Sequence, residues 1–405
     1  MKKLAFLLGL IIFFIGCPPV YKNAARIYIS RMEWENAKQQ ILLGIKETPT
    51  DFEYYCLLFK VEVATGQMDS AFKSFQTAVK TDSIATFDWI LVKEKDNRSS
   101  YGQAFLNIAR LMHSKQKSAD ALKYLDYAKT INPDDYEVFL IEGQIYTEMK
   151  DPDRANQAFT KVLKIDPENP EAYFLVGIIA FDKKQYDSSV VKFTESIKYF
   201  DVKWKKTAKT VFQNLPDIDM SLLYQIADLY NAKKDTMLAE LIKVKLGYDQ
   251  PSAQKRNIEK LMIVTNGISR THYYLGMSYY YLKNDSMALK NLLKSIEYVP
   301  KDLDALFFTG ELKIKGSKYQ EAISYFDRIT KLNKDDLYSW FYLAVCYTQL
   351  KEYQKAINIY EGEILTRDPK NIEALTNLAY CYREIGNNKK AYEYLIKAEQ
   401  LQKEK

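Results

Sequence analysis

The sequence predicts an all-α protein, a solenoid of about ten helix-turn-helix units, and three observations predict this fold class. A small residue returns every 34 positions, a second small residue and a large apolar residue keep the same phase, and proline recurs where units would end. A fixed period of this length is typical of proteins that stack similar helix pairs. Each pair buries its apolar face against its neighbours, so the array shares one extended core.

The recurring small residue sets the boundaries of the units. Placed at position 20, it is alanine in every unit except the fifth, where Ser189 stands. The units then begin at Pro18, Phe52, Gly102, Tyr136, Pro170, Met220, Ser269, Leu303, Leu337 and Ile372. Position 8 is glycine or alanine except at Phe59, and position 24 is large and apolar except at Lys243. We expect the two helices of a unit to cross at positions 8 and 20, because only small side chains let the backbones approach.

The second helix of a unit is expected to end near position 32. Proline recurs there, at Pro49, Pro133, Pro167 and Pro300, and one place later at Pro369. Proline lacks an N–H and clashes with the preceding turn of a helix, so it ends the helix. Asp134 and Asp135 follow Pro133 and are expected to cap the next helix.

In these positions the chain resembles the tetratricopeptide-repeat family, from residue 18 to the C-terminus. The resemblance is weakest in the sixth unit, where Lys243 replaces the large apolar residue. It implies a right-handed superhelical solenoid in which the first helix of each unit lines a concave surface. It also implies binding of other proteins, since arrays of this kind offer extended concave surfaces.

The N-terminus carries the features of an export signal. Two lysines precede an apolar run from Leu4 to Ile15, and Gly16-Cys17 follows. The run is shorter than the roughly 20 residues that a membrane-spanning helix needs. The segment Phe14-Ile15-Gly16-Cys17 resembles a bacterial lipobox, although Phe14 replaces the usual leucine. Residues 1–17 are therefore predicted to be a lipoprotein signal peptide with Cys17 lipidated; the alternative is an ordinary signal that is cleaved elsewhere.

Lipidation of Cys17 would set the location of the protein. Several acyl chains give stable membrane anchoring, whereas one gives only marginal binding. The residue after Cys17 is Pro18 rather than the aspartate of inner-membrane retention, and no acidic run follows. By resemblance to bacterial lipoproteins, the protein is expected to be exported and to face the periplasm from the outer membrane.

The repeat is interrupted three times, and the interruptions suggest a domain division. Extra residues occur at 86–101, 204–219 and 254–268, and the last segment has the pattern of a short amphipathic helix. We predict an N-terminal array over 18–203, an irregular helical segment with a degenerate repeat over 204–268, and a C-terminal array over 269–405.

A partner-binding groove is predicted on the first helices of units five to ten. In the family, positions 2, 5, 9 and 12 of each unit face the concave surface, and here nine of those positions are aromatic. They are Phe174, Phe181, Tyr224, Tyr273, Tyr280, Phe307, Tyr338, Phe341 and Tyr380. Exposed aromatic side chains are typical anchors of recognition surfaces. The alternative is that these rings pack between neighbouring units, because tyrosine is frequent throughout the chain.

The composition argues against catalysis. The chain has only two histidines, His113 and His272, and no glycine-rich phosphate loop. No catalytic residue, metal site or cofactor is therefore predicted, and His272 is expected to be a packed core residue. The net charge of +6 is spread along the chain without a basic stripe, so nucleic acid is not an expected partner. Cys346 and Cys381 occupy position 10 of adjacent units, too far apart for a disulfide.

The sequence therefore predicts a membrane-anchored interaction scaffold or assembly factor for an envelope complex. Its partner would be an envelope protein that contributes an extended or helical segment. The alternative function is an outer-membrane lipoprotein that captures solutes or glycans, since aromatic side chains also stack on sugars.

Overall fold

A computed structural model describes residues 20–248 and 250–403, except for the side chains of residues 251–253. The predicted signal peptide and Cys17 lie outside the described residues. The chain divides into two compact units, Met1–Pro167 and Glu168–Lys405. This division falls inside the predicted N-terminal array of residues 18–203. The predicted division into three parts follows the regularity of the repeat rather than compactness, so it stays a prediction.

The described part of the first compact unit contains nine α-helices. They are α1 (Val20–Ser30), α2 (Trp34–Glu47), α3 (Phe52–Ala64), α4 (Met68–Thr81), α5 (Ser83–Asp88), α6 (Arg98–Ser114), α7 (Ser118–Ile131), α8 (Tyr136–Glu148) and α9 (Pro152–Ile165). Eight of them form four helix pairs, and α5 belongs to the interruption after the second pair. A π-helical turn, Trp89–Lys93, follows α5 and buries Trp89 and Ile90 in the core.

The described part of the second compact unit contains twelve α-helices. They are α10 (Pro170–Asp182), α11 (Tyr186–Val211), α12 (Met220–Asn231), α13 (Asp235–Leu246), α14 (Pro251–Tyr281), α15 (Asp285–Tyr298), α16 (Leu303–Lys315), α17 (Tyr319–Leu332), α18 (Leu337–Gln349), α19 (Tyr353–Ile359), α20 (Ile372–Glu384) and α21 (Asn388–Lys403). The all-helical architecture of helix-turn-helix units is thus confirmed.

The helix pairs are held together by a small residue packed against a large one. A methyl group added at Gly143 would lie 2.3 Å from the Phe159 ring, and Gly177 and Gly310 face Phe193 and Phe326 in the same way. These pairs join positions 8 and 24 of one unit, as the sequence predicts. Position 20 is fully buried at Ala37, Ala71, Ala121, Ala155, Ser189, Ala288, Ala322 and Ala356. The close approach excludes voids at the crossing and fixes how each pair packs.

The cap predicted after Pro133 is confirmed at Asp135, and side chains cap several other first helices. The Asp135 side chain accepts a hydrogen bond from the backbone N–H of Glu137, and Asn169, Asp302 and Asn371 cap α10, α16 and α20. These side chains satisfy N–H groups that have no partner inside the helix. The turn within a pair uses a left-handed residue, which the sequence analysis did not anticipate. Examples are Lys150, Lys184, Lys283 and Lys351, each with φ near 60°.

The middle of the chain departs from the regular series. Helix α11 has 26 residues and α14 has 31, and the two pack along each other. The Ser189 and Ser278 hydroxyls lie 2.8 Å apart, and Trp204 donates from Nε1 to Thr265 at 2.9 Å. Because α11 packs directly on α14, the pair α12 and α13 lies outside the series as a helical hairpin.

The predicted short amphipathic helix over residues 254–268 is part of a longer one. Its apolar residues are buried as predicted, including Ile258 and Leu261. No proline separates it from the first helix of the seventh unit, and α14 runs on through Asn266 and Gly267 to Tyr281. Gly267 lets the backbone approach the Phe200 ring on α11, at 2.7 Å from an added Cβ.

We expect Gly310→Ala to destabilise the second compact unit, by about 1–3 kcal/mol, since its methyl group would lie 2.7 Å from the Phe326 ring. The matched control is Gly362→Ala, where no atom lies within 4 Å of an added Cβ. That change is expected to be neutral or to stabilise by about 0.5–1 kcal/mol. Urea unfolding followed by circular dichroism measures both, and equal effects would contradict the packing described.

Candidate partner-binding groove

The nine predicted aromatic residues all lie on first helices, but the structure places them in different environments. Phe181, Tyr273, Tyr280, Phe307 and Phe341 are half-buried. Tyr338 is 76% exposed and Tyr380 is 39% exposed. Phe174 is only 5% exposed and packs against Phe193 and Tyr274, so it serves the core more than an open surface. Tyr224 belongs to the helical hairpin, and among the described residues its ring contacts none of the other eight rings.

The half-buried residues are connected by rings that the sequence analysis missed. Tyr274 contacts both Phe181 and Tyr273, with ring centres 5.5 and 5.2 Å apart. Phe308 contacts Tyr273, Tyr280 and Phe307, and Tyr342 contacts Phe307 and Phe341. The connecting residues occupy position 6 of units seven, eight and nine. Their own 34-residue spacing was the signal that could have found them.

We call this connected set the aromatic chain: Phe181, Tyr273, Tyr274, Tyr280, Phe307, Phe308, Phe341 and Tyr342. Most of its contacts are edge-to-face or tilted, the arrangements that aromatic rings prefer. The rings therefore hold one another in place and lose little freedom when a ligand binds. The packing alternative is seen in these ring contacts, and the same rings remain partly exposed, so partner binding at this surface stays a prediction.

A surface cavity of about 360 Å³ lies beside one end of the aromatic chain. Tyr338 and Phe341 of α18 form one side, and residues at the start of α20 form the other. Asp368, Lys370 and Glu373 supply charged groups. The cavity thus combines two predicted groove aromatics with polar groups that can orient a ligand.

Burial and neighbouring carboxylates oppose ionisation of Tyr273 and Tyr280 in the aromatic chain. The Tyr280 hydroxyl donates to the Glu311 carboxylate at 3.0 Å, and burial together with that carboxylate raises the pKa of Tyr280 to about 12. Burial and the nearby Asp304 also raise the pKa of Tyr273. Asp304, Glu311, Asp368 and Glu373 outnumber Lys370 around these rings, so this surface favours cationic over anionic groups.

The basic residues on the first helices of the first compact unit are paired. Lys60 lies 2.6 Å from Glu94, Arg110 lies 2.6 Å from Glu137, and the His113 ring lies 3.3 Å from Glu148. Lys22 and Arg26 both contact Glu53. The ion pairs of Lys22, Arg26 and Arg110 link neighbouring helix pairs, and that of Lys60 reaches the interruption, so little free positive charge is left for an acidic ligand.

The remaining reactive side chains are packed in the core. The His272 ring stacks on Tyr298 and its Nδ1 lies 3.1 Å from the Asn291 side-chain oxygen. Burial lowers the pKa of His272. Cys346 and Cys381 are buried, and burial raises the pKa of Cys346 to about 12. Among residues 20–248 and 250–403, no group of acidic, histidine and cysteine residues could hold a metal ion.

Within the same described ranges, every helix is too short or too polar to cross a bilayer.

The stacked helix pairs define a helical-repeat scaffold, a class of protein that binds other polypeptides. Profiles of the tetratricopeptide repeat match residues 136–169 and 363–393, and the profile of anaphase-promoting complex, cyclosome, subunit 3 matches residues 281–363. Together with the 34-residue phase and the helix pairs, these matches identify the chain as a tetratricopeptide-repeat protein. This fold is generally non-enzymatic.

Several known proteins are similar over long stretches. The TPR repeat-containing protein MJ1428 of Methanocaldococcus jannaschii is 25% identical over 62% of this chain and 39% of its own length. Superkiller complex protein 3 of Mus musculus is 22% identical over 89% of this chain and 26% of its own length. The chain thus spans less than half the length of these relatives. A solved structure of Pseudomonas aeruginosa pilF superposes with a TM-score of 0.45 at 14% identity, covering 69% of this chain and 96% of that one.

We expect His272→Gln to reduce the loss of stability between pH 7.5 and pH 5. A pKa below the unfolded value of about 6.5 means that the unfolded chain binds this proton more readily. The stability that neutral His272 contributes is therefore present above that value and is lost as the pH falls. Glutamine keeps a group that can hydrogen-bond to Asn291 but does not titrate. Urea unfolding at both pH values measures the difference, and an unchanged pH dependence would refute the role given to His272.

Proposed function

We propose that the protein is a lipid-anchored scaffold that assembles or holds an envelope complex, and that its aromatic groove grips a segment of a partner protein. The groove consists of the aromatic chain together with Tyr338 and Tyr380. The observation that carries the proposal is the run of mutually supported rings that ends at the exposed Tyr338 and its cavity.

The physical state of these rings suits recognition. Aromatic side chains provide large contact areas at a low cost in conformational entropy, and they dominate the energetics of many interfaces. Contacts within the aromatic chain already restrict most of the rings before a partner arrives. Rigid anchors reduce the entropic cost of association, so affinity is gained without a larger interface.

The groove is suited to a segment with positive charge. Asp304 and Glu373 have no ion-pair partner among the described residues, and both lie on first helices beside the rings. A lysine or arginine of the partner could contact the tyrosine faces and these carboxylates together. We therefore propose an extended or helical segment that carries apolar and basic residues.

Lipidated Cys17 would keep this scaffold at the membrane. The modification adds several acyl chains, and two or more are needed for stable anchoring. Only a few residues separate Cys17 from α1, so the array would begin near the membrane surface. In a cell with two membranes, we place the protein at the periplasmic face of the outer membrane.

We expect the double variant Tyr338→Ala, Tyr380→Ala to lose most of the partner proteins recovered by crosslinking and pull-down from native envelopes. Both side chains are exposed, so their removal should leave the fold intact, and each aromatic anchor contributes about 2 kcal/mol or more in typical interfaces. Mass spectrometry of the recovered proteins gives the measurement.

The matched control is Tyr392→Ala on α21, the second helix of the last pair, where the side chain is 66% exposed. It should retain the wild-type partners. Equal recovery from the double variant and the control would contradict the groove. Recovery of glycans in place of proteins would favour the solute-capture alternative.

We expect Cys17→Ser to move the protein from the membrane fraction to the soluble fraction of the envelope. Serine keeps the size of the side chain but cannot form the thioether to the lipid. Fractionation followed by immunoblotting measures the change, and metabolic labelling with a fatty acid reports acylation directly. Retention of Cys17→Ser on the membrane would show that the anchor lies elsewhere.

A further inference from the structure

The helical hairpin of α12 and α13 creates a second cavity that is separate from the aromatic chain. Its volume is about 290 Å³, and it lies between α12, the first half of α14 and the turn after α15. Leu223 and Met262 are almost fully buried in its wall, and Tyr298, Val299 and Pro300 close another side. The cavity therefore exists only because the hairpin leaves the regular series and folds against α14.

Two polar contacts hold the cavity in shape. The Tyr224 hydroxyl donates to the backbone carbonyl of Glu297, and the Lys301 ammonium lies 2.7 Å from the Asp228 carboxylate. Both contacts join α12 to the end of α15 and the turn that follows it. They position Tyr224 as part of this wall, which explains why it does not meet the other predicted groove residues.

The size and polarity of the cavity define what it can hold. The space is a cleft that opens to solvent, and its apolar wall of Leu223, Met262 and Pro300 gains free energy when a ligand covers it. An apolar cavity of about 150 Å³ accommodates benzene, so roughly twice that volume accommodates a two-ring group such as indole. Asn231 and Asn266 lie at the exposed rim of the same space, where their side-chain amides are accessible to a ligand.

We propose that this cavity binds one tryptophan-sized aromatic side chain from an extended segment of a partner protein. The apolar wall would surround the ring, and the amides of Asn231 and Asn266 would hydrogen-bond to the backbone on either side of it. An asparagine side chain offers both a donor and an acceptor, as a peptide backbone does. This site does not depend on the aromatic groove, because none of the exposed groove residues lines it.

The test uses the full chain with ¹³C-labelled methionine methyl groups and two probes, indole and the blocked tripeptide glycine–tryptophan–glycine. The Met262 signal is expected to shift with either probe, whereas that of Met237, exposed on α13, should not. The tripeptide should bind about tenfold more tightly than indole, because it adds two hydrogen bonds.

Variants separate the two parts of the proposal. Ala227→Leu fills the cavity and should abolish both responses, whereas Ala232→Leu at the exposed end of α12 should not. The double variant Asn231→Ala, Asn266→Ala should weaken tripeptide binding about tenfold and leave indole binding unchanged. It also tests the site should Ala227→Leu fail to fold.

Two results would overturn the proposal. Absence of a Met262 shift with both probes would show that the cavity binds no aromatic group. A tripeptide that binds no more tightly than indole would exclude a peptide side chain as the occupant. Tyr338→Ala should leave the Met262 response intact, so failure of the aromatic groove and failure of this cavity are distinguishable.

Discussion

The close packing of a small residue against a large ring within each helix pair is the constraint on which the rest of the structure depends. At Gly143, Gly177 and Gly310 the facing phenylalanine occupies the space that a methyl group would need. Such close contact permits only one arrangement of the two helices relative to each other. Since the pairs recur every 34 residues, a residue at a given position of one unit has the same place in the next. Side-chain identity at a few buried positions thereby decides which residues share a surface.

The aromatic chain follows from that regularity. Tyr273 and Phe307 stand at position 5 and Tyr280 at position 12 of their units, all on first helices. The ring at position 6 of the next unit contacts them and so connects neighbouring units. A ring that packs between neighbouring repeats is restricted by those contacts while part of it stays exposed at the surface. Packing between repeats is therefore compatible with the recognition role proposed for these residues. The exposed Tyr338 extends the set toward a cavity that has room for part of a ligand.

The sequence predicts the helix pairs well because their packing is local and periodic. It predicts the middle of the chain less well, because α11 and α14 have no internal proline to end them and bury their apolar faces on each other. The phase placed Tyr224 in the groove, but a contact with Glu297, 73 residues away, holds it elsewhere. The left-handed residues Lys150 and Lys283 also escaped prediction. The geometry of the turn imposes the positive φ there, and lysine itself does not signal that conformation. Position 6 could have been found, because its spacing is visible in the sequence.

The central claim is that the aromatic groove contacts a partner protein at the envelope. Site-specific photocrosslinking tests it most directly, with benzoylphenylalanine placed at Tyr338 and, separately, at Tyr392 in cells. The account predicts a discrete crosslinked species from position 338 that is absent from position 392. Adducts of equal yield at both positions, or none at position 338, would contradict it.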